Sequence, residues 1–490
     1  MDQSTRLAPE PVSQAEIRTI LFGILLAMLV AALDQTIIAT ALPTIGRELG
    51  DVAHLPWVVT IYLLTSTAVT PLYGKFSDSH GRRVTMLIGI AVFVAGSVAC
   101  ALAPSMVALV VARGVQGLGG GGLIALAQTI IGDLVPPRER GRYQVYFASV
   151  FMTASLVGPV LGGFIAEHLH WSVIFWINLP LGLVAFAVSS RALRRLPLVH
   201  RPHELDFLGA GLLVAATVSL LLALSWGGTA YPWASAPVLG LVAASAALWG
   251  LFAWRMRAAR EPLIPPGILH NPVVRMGVLA AGFGMGTYIG LTIYLPVYFE
   301  TVRGLSASLS GLALIPLMAG TVVGATISGR LMPRVRRYKR LPVFGLAAAA
   351  AGTALLAAAG ERLPLAAIEA VLALLSVGLG TLLPVSTVAI QNAVAPHELG
   401  TATGTANFFR SLGGAFVVAV FGAIVLGASG LGGRVASLES LAEAASRSGV
   451  DLGEVFRFVF AAASLGFLFA LLFLARMEEL PLRGAREARP

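Results

Sequence analysis

The sequence predicts an all-α integral membrane protein with fourteen membrane-spanning helices. Hydrophobic residues make up 57% of the 490 residues, charged residues only 12%, and the mean hydropathy is +0.84. Apolar runs of about 18 or more residues recur along the whole chain, and each is long enough to cross a bilayer as a helix. The single cysteine, Cys100, lies inside one of them, so neither an intrachain disulfide nor a cysteine metal site can form.

The apolar runs give the predicted spans in chain order. We expect the first run to be a retained span, because Glu10 and Glu16 precede it and no clear cleavage site follows. The predicted spans lie near 19–42, 56–74, 85–103, 105–131, 143–166, 171–190, 207–226, 237–254, 275–299, 309–328, 342–360, 364–390, 401–427 and 454–475.

Fourteen spans place both termini on one side of the membrane, and the basic residues indicate which side. Of the 34 Lys and Arg residues, 26 fall in tails and loops on the side of the termini, 5 in the opposite loops and 3 inside spans. Because short cytoplasmic loops carry the excess of Lys and Arg, both termini are predicted in the cytoplasm, with the protein in the cell (inner or plasma) membrane. Scattered loop charges also account for the net charge of +10 without a nucleic-acid partner.

An internal repeat divides the chain into halves. The segment GKFSDSHGRR (74–83) follows the second span, and a degenerate relative, GRLMPR (329–334), follows the tenth. Duplicated halves are a common transporter plan. We therefore expect an N-terminal six-helix bundle at 1–200, an inserted two-helix linker at 201–258 and a C-terminal six-helix bundle at 259–490, with a periplasmic connection at 428–453.

Two opposite charges fall inside spans of the first half. Asp34 lies about two-thirds of the way across the first span at roughly 1.5 Å per residue, and Arg113 reaches nearly the same depth in the fourth. A charge in hydrocarbon costs about 2.5–3.5 kcal/mol and usually lines a pathway. The arginine favours an ionised carboxylate and burial favours a protonated one, a balance that suits proton exchange. A static structural ion pair is the alternative.

Several segments together resemble a known family, the fourteen-span drug:proton antiporters of the major facilitator superfamily. The resemblance covers about residues 15–475. It implies the major facilitator fold, two six-helix bundles plus two inserted transmembrane helices, and proton-coupled export of lipophilic or cationic drugs by alternating access. The segments are LDQTIIATALP (33–43), GKFSDSHGRR (74–83), RGVQGLGGGG (113–122), GPVLGG (158–163), WINLPLG (176–182) and FFRSLGG (408–414).

The 74–83 loop is a candidate cytoplasmic gate. Asp78 is either a turn and capping residue or, as the resemblance implies, a link between the halves that pairs with nearby Arg and with the chain near 400–404. A carboxylate at a helix N-terminus gains about 0.3–1 kcal/mol, weak enough to break in each cycle. The second-half copy has Pro333 in place of the Asp, so we expect an asymmetric latch. The candidates are Gly74, Asp78, Gly81, Arg82, Arg83 and Asp133.

The antiporter-like segment of span five has two interpretations. Small residues on one helix stripe, here with a proline kink, permit close helix packing in any membrane protein. The resemblance instead implies packing at the boundary between the halves, where the kink limits leakage. The residues concerned are Gly158, Pro159, Gly162 and Gly163.

Other charged candidates lie nearer the outer surface. Glu369 is a second candidate for proton coupling, although a solvated glutamate is an equal alternative. Glu167 and Arg434 could form an outer gate between the halves, or they are simply two exposed charges.

The transported molecule is predicted only by class. A cavity with one Asp, apolar walls and few other acids fits lipophilic cations or neutral amphiphiles, and lipids stay open because some family members move lipids. The cavity candidates are Tyr62, Gln128, Tyr146, Tyr288, Tyr294 and Asn407.

A proton-coupled multidrug exporter is the first hypothesis, and a lipid exporter or flippase is the second. A membrane enzyme or sensor is the third, and it is disfavoured because the eight histidines lie mostly in loops without metal-ligand spacing. The glycines of 117–122 lack the Lys-Ser/Thr of a phosphate loop. We expect no enzyme activity, no cofactor, no metal and a monomer.

Overall fold

The computed structural model describes residues 14–51, 54–195, 206–228, 230–428 and 451–483. Eighteen α-helices and two short 3-10 helices make up the regular structure of these residues. Thirteen helical segments within them are long and apolar enough to cross a membrane. The chain is therefore a multi-pass membrane protein, as its composition predicts.

Eight helices form the first part of the chain. The long α1 and α6 each cross the molecule as one continuous rod, whereas the predicted fourth and sixth spans are each made of two helices. The bounds are α1 (Gln14–Leu49), α2 (Trp57–His80), α3 (Arg82–Ala101), α4 (Met106–Gly120), α5 (Leu123–Leu134), α6 (Pro137–His168), α7 (Val173–Trp176) and α8 (Asn178–Ala192).

Ten further helices follow, and two of them are the inserted pair. The predicted tenth span is again made of two helices. The bounds are α9 (Phe207–Trp226), α10 (Ala236–Ala258), α11 (Pro266–His270), α12 (Pro272–Thr301), α13 (Ala307–Ala313), α14 (Ile315–Leu331), α15 (Arg340–Ala359), α16 (Leu365–Asn392), α17 (Leu399–Ala428) and α18 (Leu452–Arg476).

The helix α2 stands where the second span is predicted but is not among the thirteen apolar segments. Its threonines, its serines, Lys75 and Asp78 make it more polar than the other spans. With 24 residues at roughly 1.5 Å each, it is still long enough for a hydrocarbon core of about 30 Å. The fourteen-span arrangement therefore includes α2, whose polar face packs against protein rather than lipid.

The break between α4 and α5 is caused by close packing on α2. A Cβ atom at Gly121 would lie 2.2 Å from the carbonyl oxygen of Ser66, so only glycine fits at this crossing. Thr70 donates a hydrogen bond of 2.8 Å to the carbonyl of Gly121. The Thr70 hydroxyl of α2 thus satisfies a backbone carbonyl at the interruption between α4 and α5.

Apolar side chains form separate cores in the two parts of the chain. The largest buried cluster is drawn from α12 to α18 and the loops between them, and two others come from α1 to α8. The parts meet where α2 packs on α17 and α6 packs on α14. The inserted helices α9 and α10 pack on each other, and α9 also contacts α2 and α17. The structure thus contains two helix bundles with an inserted pair at one edge.

Candidate functional site

An ion pair between Asp34 of α1 and Arg113 of α4 lies inside the first bundle. Nη1 of Arg113 lies 2.5 Å from Oδ2 of Asp34. The two residues are 0% and 1% exposed, respectively, so neither faces lipid or solvent in this conformation. The charges that the sequence places at one depth are in direct contact.

Two amide side chains hold the other oxygen of the carboxylate. Gln116 of α4 and Asn178 of α8 each donate to Oδ1 of Asp34 at 2.8 Å. Ser97 of α3 accepts hydrogen bonds from both amides, at 2.7 and 3.3 Å. Four helices of one bundle therefore contribute to a single buried polar network, and both carboxylate oxygens have donors.

Arg113 is held by further contacts on α2 and α7. Its Nε donates to the carbonyl of Val58 at 3.0 Å. Its guanidinium carbon lies 4.4 Å from the ring centroid of Tyr62 and 5.8 Å from that of Phe175. Cation–π contacts of this kind stabilise a desolvated arginine by about 2 kcal/mol. Tyr62, one of the cavity candidates, packs against this arginine.

The glycines of the antiporter-like segment pack α6 against α1, next to Asp34. A Cβ atom at Gly158 would lie 2.0 Å from Oγ1 of Thr36. A Cβ atom at Gly162 would lie 2.2 Å from the carbonyl oxygen of Ile37. Pro159 is exposed on α6, and Gly163 has open space around its Cα. The close contact lies within one bundle rather than at the boundary between the two.

A second polar cluster joins the bundles at the face where α1 begins and α18 ends, which we call the terminal face. Asp78 of α2 accepts hydrogen bonds from the backbone N–H groups of Gly400 and Thr401 at 2.9 and 2.6 Å, and from the hydroxyl of Thr401 at 2.7 Å. It also accepts one from Nη1 of Arg82. The carboxylate caps the N-terminus of α17, where the helix dipole favours negative charge. We call Asp78, Arg82, Gly400 and Thr401 the latch.

The remaining gate candidates lie beside the latch, where Gly81 is the one residue between α2 and α3. Nε of Arg82 donates to Asp133 at the end of α5 at 2.7 Å. Arg83 donates to the carbonyl of Ser190 on α8 at 3.1 Å. Gly81 has φ = 89°, a left-handed conformation that lets the chain turn from α2 into α3.

Gly74 brings α2 and α17 into backbone contact. A Cβ atom there would lie 2.4 Å from the carbonyl oxygen of Gly400, so any larger residue must displace one of the two helices. The corresponding contact between α6 and α14 also uses glycine, since a Cβ at Gly329 would lie 2.4 Å from the carbonyl of Gly141. Both interfaces depend on the absence of side chains.

Polar side chains connect the bundles one or two turns deeper. Nδ2 of Asn407 donates to Oε1 of Gln128 at 2.8 Å, and Gln391 donates to the carbonyl of Gln128 at 3.2 Å. Arg140 donates to the carbonyl of Val135 at 2.8 Å and reaches Gln391 at 3.4 Å. In the described residues, the hydrogen bonds between the bundles lie between the terminal face and this layer, so the molecule is closed on that side.

The other predicted site residues lie outside these networks. Glu369 is half-buried on α16, Glu167 is exposed at the end of α6, and Arg434 and most of the 428–453 connection lie outside the described residues. Tyr294 packs in the core of the second bundle with its ring 6.3 Å from that of Phe421. Tyr288 packs against the same core, and Tyr146 is exposed on α6.

Gln116, Asn178, Ser97 and Arg140 were not singled out from the sequence. Gln116 lies in the 113–122 segment and Asn178 in the 176–182 segment. Each is a polar residue within an apolar run, and this pattern could have marked them as site residues. Ser97 and Arg140 carry no such signal, because serine is common in membrane spans and Arg140 lies in a basic loop region.

The fold and the buried charge pair define a class of protein, a multi-pass membrane transporter built from two helix bundles. The chain belongs to the Major Facilitator Superfamily, whose profile matches residues 24–205 and 207–418.

Similar sequences include named multidrug transporters. The multidrug transporter protein MdtP of Bacillus subtilis is 34% identical over 416 residues, which cover 84% of this chain and 76% of that protein. An uncharacterized MFS-type transporter of Mycobacterium tuberculosis is 37% identical over 413 residues, 83% of this chain and 59% of that protein. The match therefore spans about three-fifths of the length of the mycobacterial relative.

Solved structures share the fold at low sequence identity. The proton:xylose symporter XylE, bound to 6-bromo-6-deoxy-D-glucose, matches with a TM-score of 0.67 at 17% identity, over 96% of this chain and 98% of that chain. A bacterial homologue of the iron transporter ferroportin, in an outward-facing state, matches with a TM-score of 0.64 at 12% identity, over 94% of this chain and 99% of that chain.

Proposed function

We propose that this protein exports lipophilic small molecules in exchange for protons, by alternating access. The observation that carries the proposal is the Asp34–Arg113 pair, a titratable carboxylate buried beside a cation in the middle of a lipid-embedded bundle. Intramembrane carboxylates of this kind mark proton relays in transporters. The multidrug transporters among the similar proteins support a drug-like substrate.

The excess of Lys and Arg on the side of the termini supports a cytoplasmic terminal face and a location in the plasma membrane. In that orientation the described conformation is closed towards the cytoplasm, because the latch and the Gln128–Asn407 layer join the bundles there. The cycle then requires both contacts to separate when the protein takes up substrate from the cytoplasmic side.

Protonation of Asp34 would change the network around it. A neutral carboxyl no longer attracts the Arg113 guanidinium and has one oxygen that donates instead of accepting. Since α1 carries Asp34 and α4, α3 and α8 carry its partners, loss of the pair loosens four helices of the first bundle together. Such a step links proton binding to rearrangement of the bundle. Glu369 stays a second candidate for coupling.

Transport in everted membrane vesicles tests the proposal. We expect wild-type protein to move protons when a lipophilic substrate is added, and Asp34→Asn to abolish that movement because asparagine cannot titrate. Asp51→Asn is the matched control, since Asp51 is exposed and its partner among the described residues is the exposed His54. Proton movement that persists in Asp34→Asn would place the coupling site elsewhere.

One observation favours a lipid substrate as the second candidate. An apolar groove of about 300 Å³ lies between α2, α3 and α9, lined by residues that include Tyr73, Phe76 and Phe207. A groove of this kind at the outer surface of a bundle fits an acyl chain. Mass spectrometry of lipids that co-purify with the protein distinguishes a drug exporter from a lipid exporter, since a lipid exporter should retain a defined lipid class.

A further inference from the structure

Arg410 of α17 is an intramembrane arginine without a carboxylate partner in the described part of the chain. It lies eleven residues after Leu399, the first residue of α17, so at roughly 1.5 Å per residue it reaches the middle of the bilayer. The side chain is half-buried and donates a hydrogen bond to Oδ1 of Asn407. No acidic residue among the described ones forms an ion pair with it.

The other charges within spans are neutralised or peripheral. Asp34 and Arg113 cancel each other in a closed network. Arg457 is exposed near the start of α18, where it donates to the carbonyl of Ala357 at 3.3 Å. The central region between the bundles therefore carries a net positive charge from Arg410. The sequence prediction, based on one aspartate in an apolar cavity, was lipophilic cations or neutral amphiphiles.

The surroundings of Arg410 form a small pocket lined by polar and apolar side chains of both bundles. A cavity of about 20 Å³ is lined by Arg410, by Gln128 of the first bundle and by amide and hydroxyl side chains of α16 and α17. These neighbours are Ser386, Thr387, Gln391, Thr403 and Asn407, and Ala281, Ile390 and Ala406 complete the lining. Amides and hydroxyls can donate hydrogen bonds to an anion, and the lining contains no acidic side chain that would repel one.

We propose that Arg410 binds the anionic headgroup, a carboxylate or sulfonate, of an amphiphilic substrate. A cation held in the membrane interior without a counter-ion is costly and marks a functional site, and the missing counter-charge is then the ligand. The guanidinium offers a planar set of donors that matches a carboxylate or sulfonate. This inference specifies the substrate class of the proposed exporter and rests on its being a transporter.

The cavity beside Arg410 is small in this conformation, in which the terminal face is closed. About 20 Å³ holds roughly one water molecule or one headgroup oxygen. Separation of Gln128 from Asn407 would widen the site and also free Asn407 from its contact with the first bundle. Headgroup binding and opening towards the terminal face are therefore linked through the residue that contacts Arg410.

Equilibrium binding of two matched fluorophores tests the inference without any gradient. The probes are 1-anilinonaphthalene-8-sulfonate, which is anionic, and N-phenyl-1-naphthylamine, which has the same aromatic rings and no charge. Purified full-length protein in phosphatidylcholine nanodiscs is titrated with each, and empty nanodiscs are subtracted. We expect Arg410→Gln to weaken binding of the sulfonate about tenfold or more and to leave the neutral probe within twofold. Arg410→Lys keeps the charge but not the planar donor set, so its loss of sulfonate affinity should be smaller than that of Arg410→Gln.

The control is Arg457→Gln, which removes an exposed arginine and should change neither affinity. Equal weakening of both probes by Arg410→Gln would show a packing role and overturn the inference, as would unchanged sulfonate binding. If Arg410→Gln does not fold, displacement from wild-type protein decides: decanoate should displace the sulfonate probe and decanamide should not. Equal displacement by both would refute it. These titrations use no proton gradient, so they test headgroup binding independently of proton coupling. The vesicle assay can therefore refute proton exchange without refuting headgroup binding, and the reverse also holds.

Discussion

Asp34 illustrates how a buried charge is made tolerable in a membrane bundle. Its two oxygens accept hydrogen bonds from Arg113, Gln116 and Asn178. Each oxygen therefore has at least one donor inside the bundle. Replacing such a pair by apolar residues is often nearly neutral, whereas removing one partner costs about 3–5 kcal/mol because a charge is left alone. The stability cost of replacing Asp34 or Arg113 should therefore depend strongly on whether the other residue is present.

This dependence gives a stability prediction. We expect Arg113→Met to lower the stability by about 3–5 kcal/mol, and Asp34→Asn combined with Arg113→Met to recover most of that loss. Asparagine keeps a side-chain oxygen for Gln116 and Asn178 but carries no charge. The apparent melting temperature of purified protein in detergent measures both effects.

Arg457→Met serves as the control for loss of a span arginine, and its melting temperature should stay close to that of the wild type. The prediction would be contradicted by a double variant less stable than Arg113→Met alone, because that would mean that charge imbalance is not the source of the loss.

At the scale of elements, the contact between α2 and α17 determines whether the terminal face can close. The helices touch through backbone at Gly74 and Gly400, and Thr70 and Gly404 continue the contact one turn further. Membrane helices approach this closely only where small residues face each other. The glycines thus set a closed geometry that a side chain would prevent.

Gly74→Val is expected to hold the terminal face open. Its side chain would meet the carbonyl of Gly400, so α2 and α17 must separate, and we expect transport to be lost. Spin labels at Arg142→Cys on α6 and Arg330→Cys on α14, two exposed positions across the second interface, should report a longer distance. The single native cysteine, Cys100, is buried and should not react.

Gly211→Val on α9 is the matched control, because a Cβ atom at Gly211 meets nothing within 4 Å. It should leave the label distance unchanged. An unchanged distance in Gly74→Val would show that the α2–α17 contact does not limit closure.

At the scale of the whole molecule, the latch is one-sided. Asp78 of the first bundle caps α17 of the second, whereas the corresponding position in the repeat is Pro333, whose carbonyl accepts a hydrogen bond of 3.0 Å from Arg138. The two equivalent interfaces therefore differ in kind. A carboxylate caps a helix N-terminus at one, whereas a basic side chain donates a hydrogen bond to a backbone carbonyl at the other.

Weakening the latch should shift the conformational equilibrium of the entire protein. Asp78→Asn removes the charge that is hydrogen-bonded to Arg82, Gly400 and Thr401. Hydrogen bonds to charged groups contribute about 1.5–3 kcal/mol each, so the open population should rise about tenfold or more. The spin-label pair at positions 142 and 330 measures the shift, and its distance distribution should gain a longer component.

The same label pair in Asp51→Asn, which alters an exposed carboxylate beyond the end of α1, should show no change. A distribution in Asp78→Asn that matches the wild type would indicate that the glycine contacts alone keep the terminal face closed.

Sequence and structure agree most closely where hydrophobicity alone decides the outcome. The predicted span 207–226 coincides with α9, and most other spans end within four residues of their helices. The exceptions are α1, α2 and α6, which extend five to seven residues beyond a predicted end. The pairing of Asp34 with Arg113 could be predicted because depth follows from helix rise and residue number. The interruption at Gly121 could not, since it depends on how α4 and α5 pack on α2.

What the sequence determined by itself is the membrane class, the order of the spans and the residues that must avoid lipid, because burial of apolar runs and exclusion of charge from hydrocarbon are local properties of the chain. The tertiary structure alone decided that Gly158 and Gly162 pack on α1 rather than on the other bundle, and that Asp34 is neutralised while Arg410 is not. Helical phase leaves each side chain several possible neighbours, and only the packing of all the helices selects one of them.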